Sequence, residues 1–428
     1  MSTSSPSISD TEISSSSATA VSSCTPPSSD SIGDLADFGD VLSDEDDQVE
    51  IEEYAEPWHQ YNISDNTCIL YPVCLGEILN NRYLVEHKLG FGAFSTVWMA
   101  RDLEDKRDVA LKVMCLGEYA EHEARIQEQI IRNVQDTSHL VTYLTTFELP
   151  RGDGGGCHKV LVLPLMGPCV SIYTLGSIPM AARMSAARQL LEALEQLHNA
   201  GIVHRDLSDA NCMWEMAPLH HLDRKAKYEA LGRPRKEAIP YVDLWRKGDL
   251  VEPAKIPTKL RTDKFYLGDF SLSMQLDDTP APVGSPPFQF CSPDRLHGKE
   301  PTTACDMWSY MVIFSQLYLG FPPFSYYFNG TMSCIVMRLG PLPTEWRGSY
   351  YRPDDAPDSW YDQNKKPDQD KNLASVIAHR RPETDQPERD LARTVMEKVF
   401  HFCPEKRLSA TQLLRDDSFN ALMAKYGC

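Results

Sequence analysis

Apolar positions along this chain of 428 residues change their spacing about one third of the way through. Between Ile78 and Met166 they largely alternate with polar ones, the period of half-buried strands. Ile78 to Val85 leads into Lys88–Trp98, where apolar residues around Gly90 and Gly92 predict a strand, a tight turn and a second strand. Another strand follows at Arg107–Val113, then a helical stretch at Glu118–Val134. Two further strands, Val141–Leu149 and Lys159–Met166, are joined by the glycine-rich run 151–156. The Arg-Gly-Asp tripeptide in that run reads as a hairpin tip. Beyond it the period lengthens. Met180–Ala200 has helical spacing, Gly201 ends it, and Ile202-Val203 is a short strand. Phe265–Leu267 closes a later strand, and Asp306 opens a strongly apolar helix. Strands first and helices afterwards make this an α+β chain.

The ends and inserts follow a different pattern. Residues 1 to about 60 are rich in Ser, Thr and Pro and then acidic, holding fourteen Asp or Glu and no Lys or Arg. Such a tail buries too little apolar surface to offset its ordering entropy, so disorder is expected, and with it no part in catalysis. Ser43 before Asp44–Asp47 reads as a solvated acidic linker or a site for an acid-directed kinase. The net charge of −19 becomes only −5 once this tail is set aside, which leaves no basic surplus to favour direct nucleic-acid binding. Twelve cysteines are scattered without a C-x-x-C pair, so free thiols in a reducing compartment are expected. The best apolar run, Val160–Ile172, is too short to cross a bilayer, and no charged-then-apolar leader opens the chain. A location in the cytoplasm or nucleus is expected from these features, and a monomer is the expected state. The sequons at Asn62 and Asn329 then read as chance matches.

The candidate chemistry is concentrated in six short stretches. His204-Arg205-Asp206-Leu207-Ser208-Asp209-Ala210-Asn211 sets an Asp and an Asn five residues apart. Asp206 suits acceptance of a proton from an attacking hydroxyl, and Asn211 suits a Mg²⁺ ion held against nucleotide phosphates. Gly90 and Gly92 let backbone N–H groups approach phosphate oxygens. With Leu89, Phe91, Ala93, Val97 and Ala110 they form the expected nucleotide wall. Lys112, between apolar neighbours, suits the α- and β-phosphates. Its expected ion-pair partner is Glu128, with Glu123 as the alternative. Leu163 to Met166 is the expected linker facing an adenine edge. Asp269, in Gly268-Asp269-Phe270-Ser271, is the second expected metal ligand. Ser292-Pro293-Asp294 and Arg407 are expected to pair and brace a platform for substrate.

These motifs, in this order, resemble a eukaryotic protein kinase from about Tyr83 to Phe419. Gly76–Tyr83, Lys88–Trp98, Ala120–Glu123 and the long spacer before Asp269 are similar more narrowly to SR-protein-specific kinases of a divergent fungal branch. The resemblance implies a bilobal fold with a five-stranded antiparallel sheet and one helix at 61–166 and a mainly helical lobe at 167–428. It also implies ATP, Mg²⁺ and transfer of the γ-phosphoryl group to Ser or Thr of protein substrates. Basic substrates fit both the resemblance and the acids Asp354, Asp355, Asp358 and Asp362. Residues 215–264 are expected as an inserted spacer. Its basic run Arg224–Lys227 with Arg233–Lys236 reads as a docking or localisation signal or as a loop packed on the lobe. The Pro- and Asp-rich stretch 341–390 is expected to be a mobile insert. Four positions depart from the family pattern: Ser208 for a lysine, Ser271 for a glycine, Cys291 for an arginine, and Arg205 in the catalytic loop. Ser208 predicts a slow enzyme, and the alternative reading is a nucleotide-binding pseudokinase scaffold that recruits partners.

Overall fold

A computed structural model describes residues 38–41, 54–62, 68–152, 154–240, 244–278, 284–324, 328–347, 359–364, 366–367 and 369–428. The tail expected to be disordered lies outside these residues up to position 37, as does Ser43. The first strand, β1 (Asp40–Val41), belongs to a small sheet described below. The upper lobe is built on β2 (Ile78–Leu79), β3 (Tyr83–Phe91), β4 (Ser95–Asp102), β5 (Asp108–Met114), β6 (Thr145–Pro150) and β7 (Cys157–Pro164). These pair antiparallel in the order β2-β3-β4-β5-β7-β6. The sheet therefore has six strands, the two-residue β2 being the addition to the expected five. Helix α1 (Glu118–Asn133) lies between β5 and β6 in the chain. The expected strand at Val141 starts only at Thr145, because the Val141 N–H is given to the Leu267 carbonyl at 2.9 Å instead.

The lower lobe begins with β8 (Met166–Cys169), α2 (Ile172–Leu175), α3 (Met180–Asn199), β9 (Ile202–Val203) and β10 (Cys212–Met216). Then come α4 (Arg224–Leu231), β11 (Arg235–Ala238), β12 (Asp249–Val251), β13 (Arg261–Leu267) and β14 (Met274–Gln275). Helices complete it: α5 (Pro293–Leu296), α6 (Thr303–Leu319), α7 (Phe328–Leu339), α8 (Leu373–Arg380), α9 (Gln386–Val399), α10 (Ala410–Leu414) and α11 (Asp417–Ala424). Helix α6 is buried continuously from Cys305 to Leu319, as a helix apolar on every side must be. Gly320, at φ +70°, ends it in a left-handed turn that glycine adopts without strain. Around α6 sits the main core, which includes Leu190, Leu194, Trp308, Phe314 and Phe419. Truncating Met311 to Ala there costs about 2–5 kcal/mol.

Three expectations fail on packing. Residues 54–61 are folded, with a single helical turn at Trp58–Tyr61 and with Ala55, Glu56 and Tyr61 buried. The stretch 341–390 is anchored by Trp346, Trp360, Tyr361, Leu373 and Ile377 in the main core, although residues 348–358 lie outside the description. Cys68 and Cys115 are joined in a disulfide, so the thiols are not all free.

The described residues of the spacer are packed as well. Its strands β11 and β12 form a three-stranded sheet with β1. Lys227 Nζ donates to Glu86 at 2.7 Å and to Asp108 at 2.6 Å, with all three side chains buried. Arg224 lies 3.9 Å over the Phe38 ring, and Arg233, Arg235 and Lys236 face Asp40, Glu252 and Asp249. Five cations of the basic run are thus engaged within the protein, as the packed-loop reading requires.

Candidate active site

Strand pairing assembles the roof of the cleft between the two lobes. Lys112 on β5 stands opposite Val97 of β4, and Ala110, two residues earlier on the same face, stands opposite Leu163 of β7. All four line a cleft of about 340 Å³, together with Leu89, Gly90, Phe91 and Met166 from the sequence reading. Gly92 and Ala93 sit in the turn between β3 and β4 and do not line it. A Cβ added at Gly90 or Gly92 would meet nothing within 4 Å, and neither residue needs a positive φ. The protein's own packing does not require glycine at either place. Backbone open on that side fits approach by phosphate groups.

Lys112 Nζ donates to both carboxylate oxygens of Glu123, at 2.9 and 2.8 Å, and to Asp269 at 2.7 Å. Glu128 is not the partner. It points to solvent and meets Arg132 at 3.1 Å. At 100° per residue, five residues put Glu128 about 140° around α1 from Glu123. The buried stripe Ala120, Glu123, Ala124, Gln127, Ile130 carries the correct signal. Gln127 fixes Glu123 in turn, donating at 3.1 Å while accepting from the Tyr143 N–H at 2.7 Å. Burial alone would lower the pKa of Lys112, but Asp269 and Glu123 outweigh it and hold the ammonium charged.

The catalytic loop is held from below by Asp306 at the start of α6. Its carboxylate accepts the backbone N–H of His204 at 2.7 Å and of Arg205 at 2.8 Å, and it meets His198 at 3.0 Å. Arg205 and Asp269 both adopt left-handed backbone, at φ +70° and +63°. Non-glycine residues held so cost roughly 1–3 kcal/mol each, a strain met chiefly at functional sites. Asn211 donates to the backbone and side-chain oxygens of Asp206 at 2.8 and 2.9 Å.

Asp206 and Asp269 are driven apart in acidity. Burial, and then the charge of Asp269, raises the Asp206 pKa from 3.8 to about 7. Desolvation also acts upwards on the half-buried Asp269, yet Lys112 and hydrogen bonds from Ser271 overcome this and bring it to about 2. A group near neutrality suits proton exchange, and one ionised throughout suits a cation. Asp269 and Asn211 are the cleft's candidate Mg²⁺ ligands. Two protein ligands, with phosphate oxygens and water completing the shell, match the habit of that ion. Among the described residues no cluster of three or more His, Cys, Asp or Glu could hold a metal unaided.

With this geometry in place, a family model described as "Protein kinase domain" matches residues 83–419. The chain belongs to the protein kinase family. Protein kinase dsk1 of Schizosaccharomyces pombe is 32% identical over 190 residues, covering 41% of this chain and 33% of that protein. SRSF protein kinase 3 of Mus musculus is 33% identical over 156 residues, covering 33% and 27%. Serine/threonine-protein kinase spk-1 of Caenorhabditis elegans is 30% identical over 201 residues, covering 44% and 19%. The chain thus spans a third or less of the length of these relatives.

Within this kinase fold the platform pairing holds: Arg407 and Asp294 form a buried ion pair. Ser309 Oγ steadies the same region by donating to the Phe290 carbonyl at 2.7 Å. Cys291 is buried, which pushes its thiol up to about 12. Sequence reasoning missed Val141, Cys169, Met213 and Ile256 on the cleft wall. Ile256 comes from the spacer, and no local pattern marks it.

Proposed function

We propose that this chain is an ATP- and Mg²⁺-dependent protein kinase that phosphorylates Ser or Thr in protein substrates. The observation that carries the reading is Lys112 bridging Glu123 and Asp269 beside the Asp206–Asn211 pair. Lys112 binds and orients the α- and β-phosphates. Asn211 and Asp269 hold Mg²⁺, which supplies positive charge against the phosphates. Asp206 orients the substrate hydroxyl and accepts its proton, and Asn211 keeps the Asp206 carboxylate aimed. Asp306 fixes the loop that carries both. Because phosphoryl transfer depends almost wholly on positioning and charge stabilisation, these roles are sufficient in kind. The phosphate-binding lysine, the proton acceptor and both metal-ligand positions are filled, Ser208 is the departure beside the transferring group, and no feature of the described residues favours the scaffold alternative.

Basic protein substrates fit the acidic balance of the chain, at a net charge of −19. Asp362 stands on the described part of the insert, while Asp354, Asp355 and Asp358 lie outside it. Opposed potentials speed encounter and weaken with salt. A monomer of the cytoplasm or nucleus is proposed, and the Cys68–Cys115 bond removes the free-thiol argument from its support. The test is transfer from γ-labelled ATP to a degenerate peptide library, with Asp206→Asn as control. Label on Ser and Thr among basic residues is the expected result. Acidic selection would overturn the substrate class, and label equal in the control would overturn the assignment of Asp206.

A further inference from the structure

We infer that chain just before the kinase domain, residues 54–62 and 68–70, positions the glycine loop for nucleotide through an ion pair between Glu56 and Lys88. Lys88 lies on β3, two residues before Gly90, and its side chain is fully buried. Glu56 is equally buried and pairs with it, and the Tyr61 hydroxyl donates to the other carboxylate oxygen. The Lys88 ammonium also lies 5.3 Å from the rings of Phe91, in the loop, and of Trp98. Burial pushes the Lys88 amine towards its neutral form, so the adjacent Glu56 carboxylate and this amine depend on each other, and separation would leave both groups desolvated and without a counterpart.

A second hold lies at the other end of the loop. Phe94 stacks on Tyr119 of α1 at 4.0 Å, within an apolar cluster shared with Ala55, Tyr61 and Leu70. The Cys68–Cys115 bond fastens the segment to the turn between β5 and α1, where the Leu116 N–H donates to the Ile69 carbonyl at 3.2 Å. The glycine loop is therefore gripped on both sides by chain upstream of residue 83, where the match to the family model begins. At Gly90 and Gly92 no side chain packs: Gly90 is held by its pairing with Val97, and Gly92 by its N–H donation to the Ser95 carbonyl at 2.9 Å. Glu56 is a positioning residue, acting on nucleotide through Lys88.

The test uses the full chain without peptide substrate, so its outcome is independent of the proposed substrate class. Glu56→Gln/Lys88→Met removes both charges and leaves no buried ion unpaired, and Tyr61→Phe removes only the hydroxyl. Glu104→Gln, an exposed acid of the same lobe, is the control. Amide hydrogen exchange across residues 89–97 is measured without nucleotide, and Mg-ADP affinity by calorimetry. The double variant is expected to speed exchange in the loop at least tenfold and weaken Mg-ADP about tenfold. Tyr61→Phe should shift both in the same direction by less, with exchange in α6 and the control unchanged. Loop exchange and affinity at wild-type values in a folded double variant would overturn the inference. So would exchange that rises equally in α6, which marks general loosening. Should the double variant not fold, unchanged loop exchange and affinity in Tyr61→Phe would overturn it alone.

Discussion

Ser208 stands two residues after Asp206 and is buried. A lysine at that position would bring a cation to the transferring phosphoryl group, whereas a hydroxyl is short and neutral. Lys112 is the one cation among the described residues that line the cleft, and the spacer contributes only Ile256 there. Losing one donor aimed at developing charge costs roughly 10²–10³ in rate. Ser208→Lys should therefore raise single-turnover phosphorylation at least tenfold and leave nucleotide affinity nearly unchanged. An unaltered rate would mean that another cation already serves. Asp206 sets the pH dependence. Its pKa near 7 means that the base form dominates only above neutrality, so kcat/KM for ATP should fall about tenfold per pH unit below about pH 7. The same shift has a sign in stability. The folded protein holds this proton more tightly than the unfolded chain, so the favourable contribution is complete below pH 4 and is lost as pH rises towards 7. Asp269, depressed to about 2, contributes above pH 4 and loses that contribution as pH falls towards 2. Melting temperatures across pH 4 to 7 should fall less for Asp206→Asn than for the wild type.

Among the elements, α1 shows what a sequence reveals and where it misleads. Its limits were readable from periodicity, and so was its duty to supply an acid to Lys112. The choice between Glu123 and Glu128 depended on which face turns inward. Glu128 forms an ordinary exposed i,i+4 pair with Arg132, the kind that contributes little. Glu123→Gln should reduce kcat/KM by about a hundredfold, with melting temperature monitored to exclude unfolding. Glu128→Gln should stay within twofold, and equal losses in the two variants would reverse the assignment. The other site elements were legible because they carry their chemistry in short contiguous motifs. The catalytic loop, the Gly268–Ser271 stretch and the strand of Lys112 each needed only local spacing. Val141 and Met213 escaped because they are single apolar residues, identical in sequence to any other core position.

At the scale of the whole molecule, the spacer and the residues before the domain were the least legible parts. Lys227 meets Glu86 across 141 positions and Asp108 across 119, and nothing in a basic run announces buried acids so far away. Read locally, the run was as compatible with solvent as with packing. Replacing Lys227 by Met should destabilise the fold by about 3–5 kcal/mol, since two buried carboxylates lose their counter-charge. Lys225→Met, exposed on the same helix, should be neutral. Chemical denaturation midpoints distinguish the two, and equal midpoints would show the spacer to be weakly held.

Ile256 gives that spacer a pharmacological meaning. It places on the cleft wall a methyl-bearing side chain from the stretch 215–264, which the sequence reading set apart as a spacer. A nucleotide-competitive compound shaped to press against it would touch the spacer from inside the nucleotide cleft. Shortening the side chain by Ile256→Ala should cost such a compound affinity while sparing ATP, and that difference would measure how much selectivity the insertion makes available.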